Sequence, residues 1–537
     1  MTTGLLSAQL IDTTSTDTFV PWTRPADWLT FTDPTVGQEK IVILAAVYEG
    51  NSNYLAFTIS GAYTVDWGDG TAAVNVAAAT KTSKQLLWSS YSSGTLTTGG
   101  YRQAVITITP QAGQTFTSVD FTVAHSSPPA TSYSTTFLDF VIGAPNMTTF
   151  TLGGNGPLQT HRILERCRMV GPNVVTDLAY KFSGLQSLRT CAATNGQGYD
   201  LWTSSATAMN SMFNACGALE ACPTFSSTSS NTQCGSMFAN CGSLRSVPLF
   251  NTSSVTAASA MFSSCTALTA LPAFDWSSLV TATSIASGCS VLSSVPWTVS
   301  PVLSAAGSMF TNCYQLAAVP ALDWSKATTL ASCFKGCSSL VDTSALGHAT
   351  KGITSLCTDM SSTFEVCRSL TSVAPMDTSG VTTLTWCFNG CSALTTMPTP
   401  SGNNWKLSAC TNFSTTWAGC AALQTMPVLD TSAGLNFAAC FLICTALVSV
   451  PAWNVANGAT FANMFNGCSS LQSAPLAGGR FAISYASCLL SATALDAIYT
   501  GLGTASGSQT ITVTGNYGTT GDTPSIATAK GWTVTGS

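Results

Sequence analysis

From about residue 210 onward, apolar and small polar side chains alternate in a unit that repeats about every twenty-four residues. In Met261-Phe262-Ser263-Ser264-Cys265-Thr266-Ala267-Leu268-Thr269-Ala270-Leu271-Pro272, the apolar places are Met261, Phe262, Cys265, Leu268 and Leu271, and Pro272 closes the run. The same places recur around Cys216, Cys241, Cys265, Cys289, Cys313, Cys337, Cys367, Cys391, Cys420, Cys444 and Cys468, at spacings of 25, 24, 24, 24, 24, 30, 24, 29, 24 and 24. The two long steps hold insertions near 343–362 and 399–415. A further unit puts Cys488 and Leu489 in the Met-Phe places and Ala492 in the cysteine place, and a degenerate unit precedes the series around Phe182, Leu185 and Leu188. A fixed period of this length is the mark of a solenoid.

Each unit predicts its own path. Leu-x-x-Leu-Pro reads as a short extended stretch, and the turn after the proline is Asp275-Trp276-Ser277 or Asp323-Trp324-Ser325. A Ser/Thr-rich arc leads to an expected short helical turn, with Met, Phe and Cys on one face. One unit cannot bury that face alone, so stability is shared between stacked neighbours. At ~4.8 Å per coil, about a dozen coils form a rod on the order of 60 Å long. The solenoid is assigned to residues 151–500.

The pattern changes elsewhere. Ile41–Tyr48, Tyr54–Ile59, Ala62–Trp67, Ala104–Ile108, Val119–Val123 and Phe137–Ile142 are short β-type runs between turn residues, which predicts a β-sandwich over 41–150. Residues 1–40 read as an extended docking arm, because the prolines in Pro21-Trp22-Thr23-Arg24-Pro25-Ala26-Asp27-Trp28 exclude a helix there. Residues 501–537 read as a cap: a strand at Ile511–Val513, a turn at Asn516–Gly518, a short helix over 524–530 closed by Gly531, and a last strand at Trp532–Val534. The fold class is therefore mainly β with short helical turns: a sandwich, a solenoid and a cap.

Composition narrows the function. Only 8% of the 537 residues are charged, and 18 Lys+Arg face 23 Asp+Glu. That balance lacks the basic excess of a nucleic-acid binder. The three histidines, His125, His161 and His348, are far apart, which speaks against histidine catalysis and His-rich metal sites. Mean hydropathy is +0.29, yet no apolar run approaches the ~20 residues of a membrane span. The N-terminus shows no secretory pattern. No cofactor and no membrane insertion are expected.

The candidate chemistry lies in three places. The cysteine column shares its apolar neighbourhood with Met212, Met237, Met261, Met309 and Met464, and Cys333, Cys387 and Cys440 stand in that methionine column. Cysteine here reads as a small buried hydrophobe, a ladder of free structural thiols rather than metal ligands or disulfides. After the proline stand Asn251, Asp275, Asp323, Asp430 and Asn454. Such residues usually bond their own turns, and one carboxylate per coil gives Ca²⁺ few ligands. With Trp276 and Trp324 beside it, this column is the candidate surface-binding face, although the tryptophans also fit a role covering the core edge. Finally, Asp66-Trp67-Gly68-Asp69-Gly70 forms a tight turn after a strand, with no partner that would make its carboxylates an acid–base pair.

Three resemblances follow from these residues. The unit "MFxxCxxLxxxPxFDxS" over roughly 180–500 resembles the BspA-type leucine-rich-repeat surface proteins, which implies an adhesive or recognition scaffold. Tyr63-Thr64-Val65-Asp66-Trp67-Gly68-Asp69-Gly70-Thr71 resembles the signature of PKD-type immunoglobulin-like domains. The whole arrangement resembles structural proteins of tailed bacteriophages of marine or cyanobacterial hosts. It implies a non-enzymatic virion component, tail, fibre or decoration, oligomeric in the assembly. In that reading the arm and sandwich attach to other virion proteins, and the solenoid meets a host-surface glycan or protein. A bacterial adhesin and a purely architectural capsid or neck protein are the alternatives. A glycan-degrading enzyme would need one distinctive carboxylate pair, and the repeat offers a column of similar turns.

Overall fold

The computed structural model describes residues 21–126, 133–154, 159–192, 200–297, 300, 302–402 and 404–537. Residues 1–20 of the expected arm lie outside them.

Twelve strands build the N-terminal module: β1 (Lys40–Val47), β2 (Tyr54–Ile59), β3 (Tyr63–Asp66), β4 (Val74–Val76), β5 (Thr82–Gln85), β6 (Arg102–Pro110), β7 (Ser118–Asp120), β8 (Tyr133–Ser134), β9 (Phe137–Gly143), β10 (Thr149–Thr151), β11 (Gln159–Thr160) and β12 (Arg166–Val170). One sheet runs β12-β9-β1-β6-β3-β4 and a second runs β10-β7-β2-β5. Between them Ile41, Ile43, Phe57, Ile59, Val65, Ile106, Phe121 and Phe140 form a core without solvent exposure. Each of the six expected runs holds a strand, although Val119–Val123 is one only as far as Asp120. The sheet extends past the expected limit at 150, however, because β12 joins β9 in parallel, Arg166 opposite Asp139.

β1 is buried on both faces, so it reads as an unbroken apolar run rather than an alternating one. Its inner residues face the second sheet. Its outer residues Leu44 and Ala46 pack with Trp28 and Leu138, and Val42 packs with Val141, Val170 and Phe31. The described part of the arm is thus laid on the chain's own sandwich rather than held out for a partner. It is fixed there by polar contacts as well. Trp28 Nε1 donates to the Tyr101 hydroxyl at 3.0 Å, and the Leu29 amide donates to Gln103 at 2.8 Å. Arg24 donates to the carbonyls of Trp28 and Leu29. The arm also reaches the first coils, where Trp22 bonds Glu165 and Glu220.

His161 lies inside this module, 1% exposed and stacked on Phe137 with centroids 4.8 Å apart. Its ring nitrogens meet the Thr135 hydroxyl and the Phe121 carbonyl. Burial pushes its pKa down to about 3 from 6.5. The unfolded chain therefore takes up the proton first. The stability due to the neutral ring is complete above pH 6.5 and is lost as pH falls from 6.5 toward 3. Acidification from pH 7 to 5 is expected to cost roughly 2 kcal/mol through this residue. Denaturant unfolding at the two pH values will show it, and His161→Gln should flatten the difference.

The solenoid begins on β12, where Arg166 bridges Thr190 in parallel. Its described coils carry no long strands. Two columns of single parallel bridges link them, one through Gln233, Ala257, Thr281, Ala305 and Thr329, the other through Thr425, Ser449 and Ser473. The expected helical turn is absent from the described coils, and a double-purpose arc takes its place. In the coil around Cys265, the amides of Ala258, Ala260, Phe262 and Ser264 donate to Thr281, Thr283, Ile285 and Ser287 of the next coil. The intervening amides of Met261, Ser263 and Cys265 close local turns onto residues three back. This alternation requires left-handed backbone twice per coil, four residues apart, as at Ala260 (φ 56°) and Ser264 (φ 61°). The second place is glycine in six of the described coils, including Gly184, Gly288 and Gly336, because only glycine adopts that conformation without steric cost.

The interior is an aromatic column. Phe213, Phe238 and Phe262 stack in sequence. Phe310, Phe334, Phe364, Phe388, Trp417, Phe441, Phe465 and Tyr485 continue it. Between Phe262 and Phe310 the column place holds Ala286. There the ring contacts detour through Phe274, Trp276 and Trp297 before rejoining at Phe310.

The cap has β13 (Ile483–Ser484), β14 (Gln509–Thr512) and β15 (Trp532–Thr535) as a parallel sheet, with α1 (Ala492–Gly501) and α2 (Ser525–Thr528) beside it. α1 replaces the second half of the expected last repeat: Ala492 starts a helix, capped by Ser491, instead of filling a cysteine place. One apolar cluster runs from β1 to Trp532, so sandwich, solenoid and cap share a continuous core. Among the described residues, no helix is long and apolar enough to cross a membrane.

Candidate functional site

The three sequence candidates occupy three different settings. All twenty-one cysteines are free and buried. The central column does more than fill space. The Cys265 thiol donates to the Phe238 carbonyl at 3.1 Å, Cys289 to Phe262 at 3.1 Å and Cys313 to Ala286 at 3.2 Å. Cys216, Cys241, Cys337, Cys367, Cys391, Cys420, Cys444 and Cys468 repeat the contact with the preceding coil. The carbonyl at the aromatic place, held by Ala286 in one coil, thus receives a second donor, which alanine at the cysteine place would remove. Burial pushes the thiols up, to about 12 for Cys289, Cys337, Cys391 and Cys444. They stay protonated and able to donate, and they are poor nucleophiles. Native protein at pH 8 should therefore resist iodoacetamide, with twenty-one additions appearing only after denaturation. Rapid labelling of the native protein would contradict this packing.

The Asx column is a set of turns. The side chains of Asn251, Asp275, Asp323, Asp430 and Asn454 accept from backbone amides two residues on. Their backbone carbonyls serve the stack too: buried Thr228, Thr252 and Thr431 donate to those of Asn251, Asp275 and Asn454. Trp276 and Trp324 are not on the surface. Both are fully buried. Trp276 packs in the detour beside Ala286, and Trp324 packs edge-on against Phe334 and donates to the Pro320 carbonyl, so both fit the structural alternative. The candidate face is left with its polar Asx residues and without aromatic platforms. Among the described residues, no group of three or more His, Cys, Asp or Glu side chains is placed to hold a metal ion.

In the Asp66–Gly70 turn, Asp66 accepts from the Gly68 amide at 2.9 Å, and Asp69 accepts from Thr71 and pairs with Lys84 at 3.1 Å. Trp67 is buried, with the Lys84 ammonium 5.3 Å from its ring centre. Gly68 has φ 66°, and a side chain there would meet the Val105 carbonyl. Every group of this turn is engaged in holding it.

Sequence reasoning missed the densest charge cluster. Asp139 on β9 is fully buried and pairs with Arg24 of the arm at 3.2 Å and with Arg166 and Arg168 of β12 at 2.7 and 3.0 Å. Arg168, itself 1% exposed, also pairs with Asp33 at 3.1 Å. A cleft of ≈ 510 Å³ lies over this cluster, lined by Arg24, Phe31, Asp33, Pro34, Arg166 and Arg168. One signal was available: a charged residue within the otherwise apolar run Phe137–Ile142.

These features define a leucine-rich-repeat-type solenoid built on a unit of about twenty-four residues. The family model described as "Mycoplasma protein of unknown function, DUF285" matches residues 176–295, 232–346 and 358–477, more than half of the chain, and the chain belongs to that family. No curated protein matches it. Among solved structures, a leucine-rich repeat protein from Eubacterium ventriosum ATCC 27560 is similar, with 14% identity and a TM-score of 0.31 over 62% of this chain and 91% of that one. The TLR13–ssRNA13 complex shows 14% identity and a TM-score of 0.21 over 66% and 50% of the two chains. The plant peptide hormone receptor RGFR1 in complex with RGF2 shows 11% and 0.16 over 71% and 67%. At these TM-scores none of the three bears on ligand or partner.

Proposed function

We propose that the chain is a non-enzymatic structural component of a tailed-phage particle, a tail, fibre or surface-decoration protein. Its N-terminal module, read as PKD-like from the Asp66–Gly70 turn, attaches it. Its solenoid is presented to host-surface glycan or protein. The observation that supports this best is the chemistry of the stack: twenty-one buried free thiols suit a chain folded in a reducing cytosol before assembly, as virion proteins are. A repeated outer surface also suits weak multivalent contacts.

Immunogold electron microscopy of particles and cells with antibody against residues 210–480 tests the reading. Label on the tail or its fibres is the expected result. Label on the head keeps the virion role but makes it decorative. Label confined to a cell envelope overturns it in favour of an adhesin.

A further inference from the structure

The outer face of the solenoid is monotonous by composition. The residue that follows the central cysteine is Gly217, Gly242, Thr266, Ser290, Ser338, Ser392, Ala421, Thr445 or Ser469 in nine coils. The two exceptions are Tyr314 and Arg368. Stacking puts them two coils apart in one column, roughly 10 Å by the usual coil rise, with the short side chain of Ser338 between them. Between residues 210 and 480, Tyr314 is the only tyrosine, and there are seven Lys or Arg residues. Two of those seven, Lys335 and Arg368, line the same cleft of ≈ 330 Å³ as Tyr314, together with Asn312, Gly336 and Ser338.

The groups in this cleft are poised rather than spent. Tyr314 is 46% exposed, and Arg368 is exposed as well. Among the described residues, neither the Tyr314 hydroxyl nor the Arg368 guanidinium has a hydrogen-bond or ion partner. Lys335 is held by Glu365 at 2.9 Å, which leaves the cleft with one net positive charge on a chain of net charge −5. The floor carries no side chain at Gly336, where one would run into the Asn312 amide. Val366, beside it, fills the same left-handed place (φ 64°) that the arc requires in every coil.

We infer that this cleft binds an acidic sugar, one hexuronic-acid ring lying across Ser338 between Tyr314 and Arg368. The inference deepens, and rests on, the reading of the solenoid as a glycan-facing surface. A planar guanidinium grips a carboxylate through two parallel hydrogen bonds. A half-exposed tyrosine offers an apolar face to the C–H side of a pyranose and a hydroxyl to its rim. The Asn312 amide lies within the same cleft for ring hydroxyls. The volume is at the small end for ligand sites, which suits one or two sugar rings.

The test is calorimetric titration of the full chain with trigalacturonate and with its methyl ester, which keeps the rings and removes the charge. The acid is expected to bind and the ester to bind at least about tenfold more weakly, the loss of a charged hydrogen-bonded pair. Arg368→Ala and Tyr314→Ala should each weaken the acid about tenfold or more, with Arg368→Lys between them and wild type. Both side chains are exposed, so unchanged thermal unfolding will confirm that the variants are folded. Equal binding of acid and ester, equal binding by wild type and Arg368→Ala, or no binding of the acid would each overturn the site. Tail label without binding would remove this cleft and leave the virion reading. Binding without particle label would do the reverse.

Discussion

Asp139→Ala is expected to destabilise the N-terminal module by about 3–5 kcal/mol, the range for breaking a buried ion pair from one side. The size follows from what remains. Asp139 has no exposed side-chain surface, and three guanidinium groups converge on it. Without it, Arg168 keeps only Asp33, and its Nε, already buried without a partner, gains none. Arg24 loses its carboxylate partner, so the arm loses one of the contacts that fix it, beside those of Trp22, Trp28, Leu29 and Asp33. Chymotrypsin should then cut at Trp28 and Phe31, sites shielded in the wild type where the arm packs on β1. Asp139→Asn, which keeps the shape and part of the bonding, should cost less. If Asp139→Ala unfolds within about 1 kcal/mol of wild type, the cluster is not what holds the arm.

The second large effect concerns the gap in the aromatic column. Trp297 is 1% exposed, packs edge-on against Trp276 at 5.4 Å and donates its Nε1 hydrogen to the Pro272 carbonyl at 3.0 Å. Trp297→Ala should cost about 3–5 kcal/mol, as large-to-small aromatic changes in cores do. Ala286 is where the regular column would place a phenylalanine, and the tryptophans occupy the room its absence leaves. Ala286→Phe in the wild type should therefore overpack and destabilise, whereas in the Trp297→Ala background it should recover part of the loss. Denaturant unfolding of both single variants and the double variant measures that coupling. Strict additivity would show that the two sites do not share space.

The sequence was most legible where apolar places repeat. Phe262, Cys265, Leu268 and Leu271 announced the core, because a stacked coil forces the same side chains inward each time. The backbone of the arc was harder to read. Met, Phe and Cys at helical spacing fit a helical turn equally well, since hydrophobic periodicity records which side chains point inward and not how the amides are paired. The telling residues were the ones just before the cysteines: Asn240, Gly288, Asn312, Gly336, Gly390, Gly419 and Gly467 are types that tolerate left-handed backbone. Trp276 and Trp324 follow polar residues in a turn, so the sequence allowed a surface platform as well as the core-edge role they have. Their burial depends on the size of side chains in neighbouring coils, which no single unit reveals. The arm misled for a related reason. Its own residues show only that it is extended, and the sign that it lies on the sandwich was in β1, whose unbroken apolar run required a cover on both faces. Tyr314 and Arg368 stood out only as departures from a column, so they became visible as a pair once the columns were aligned in space.

The shared grammar of the coil interfaces has a consequence for reach. Each coil meets the next through the same alternate amides and the same thiol-to-carbonyl contact, so an added or deleted whole unit rebuilds the junction it interrupts. Away from Ala286, the Tyr314–Arg368 pair and the two inserted segments, the solenoid behaves as a ruler graduated in steps of ~5 Å. Descendants could move the distal tip nearer to or farther from the sandwich one coil at a time, without redesigning either end.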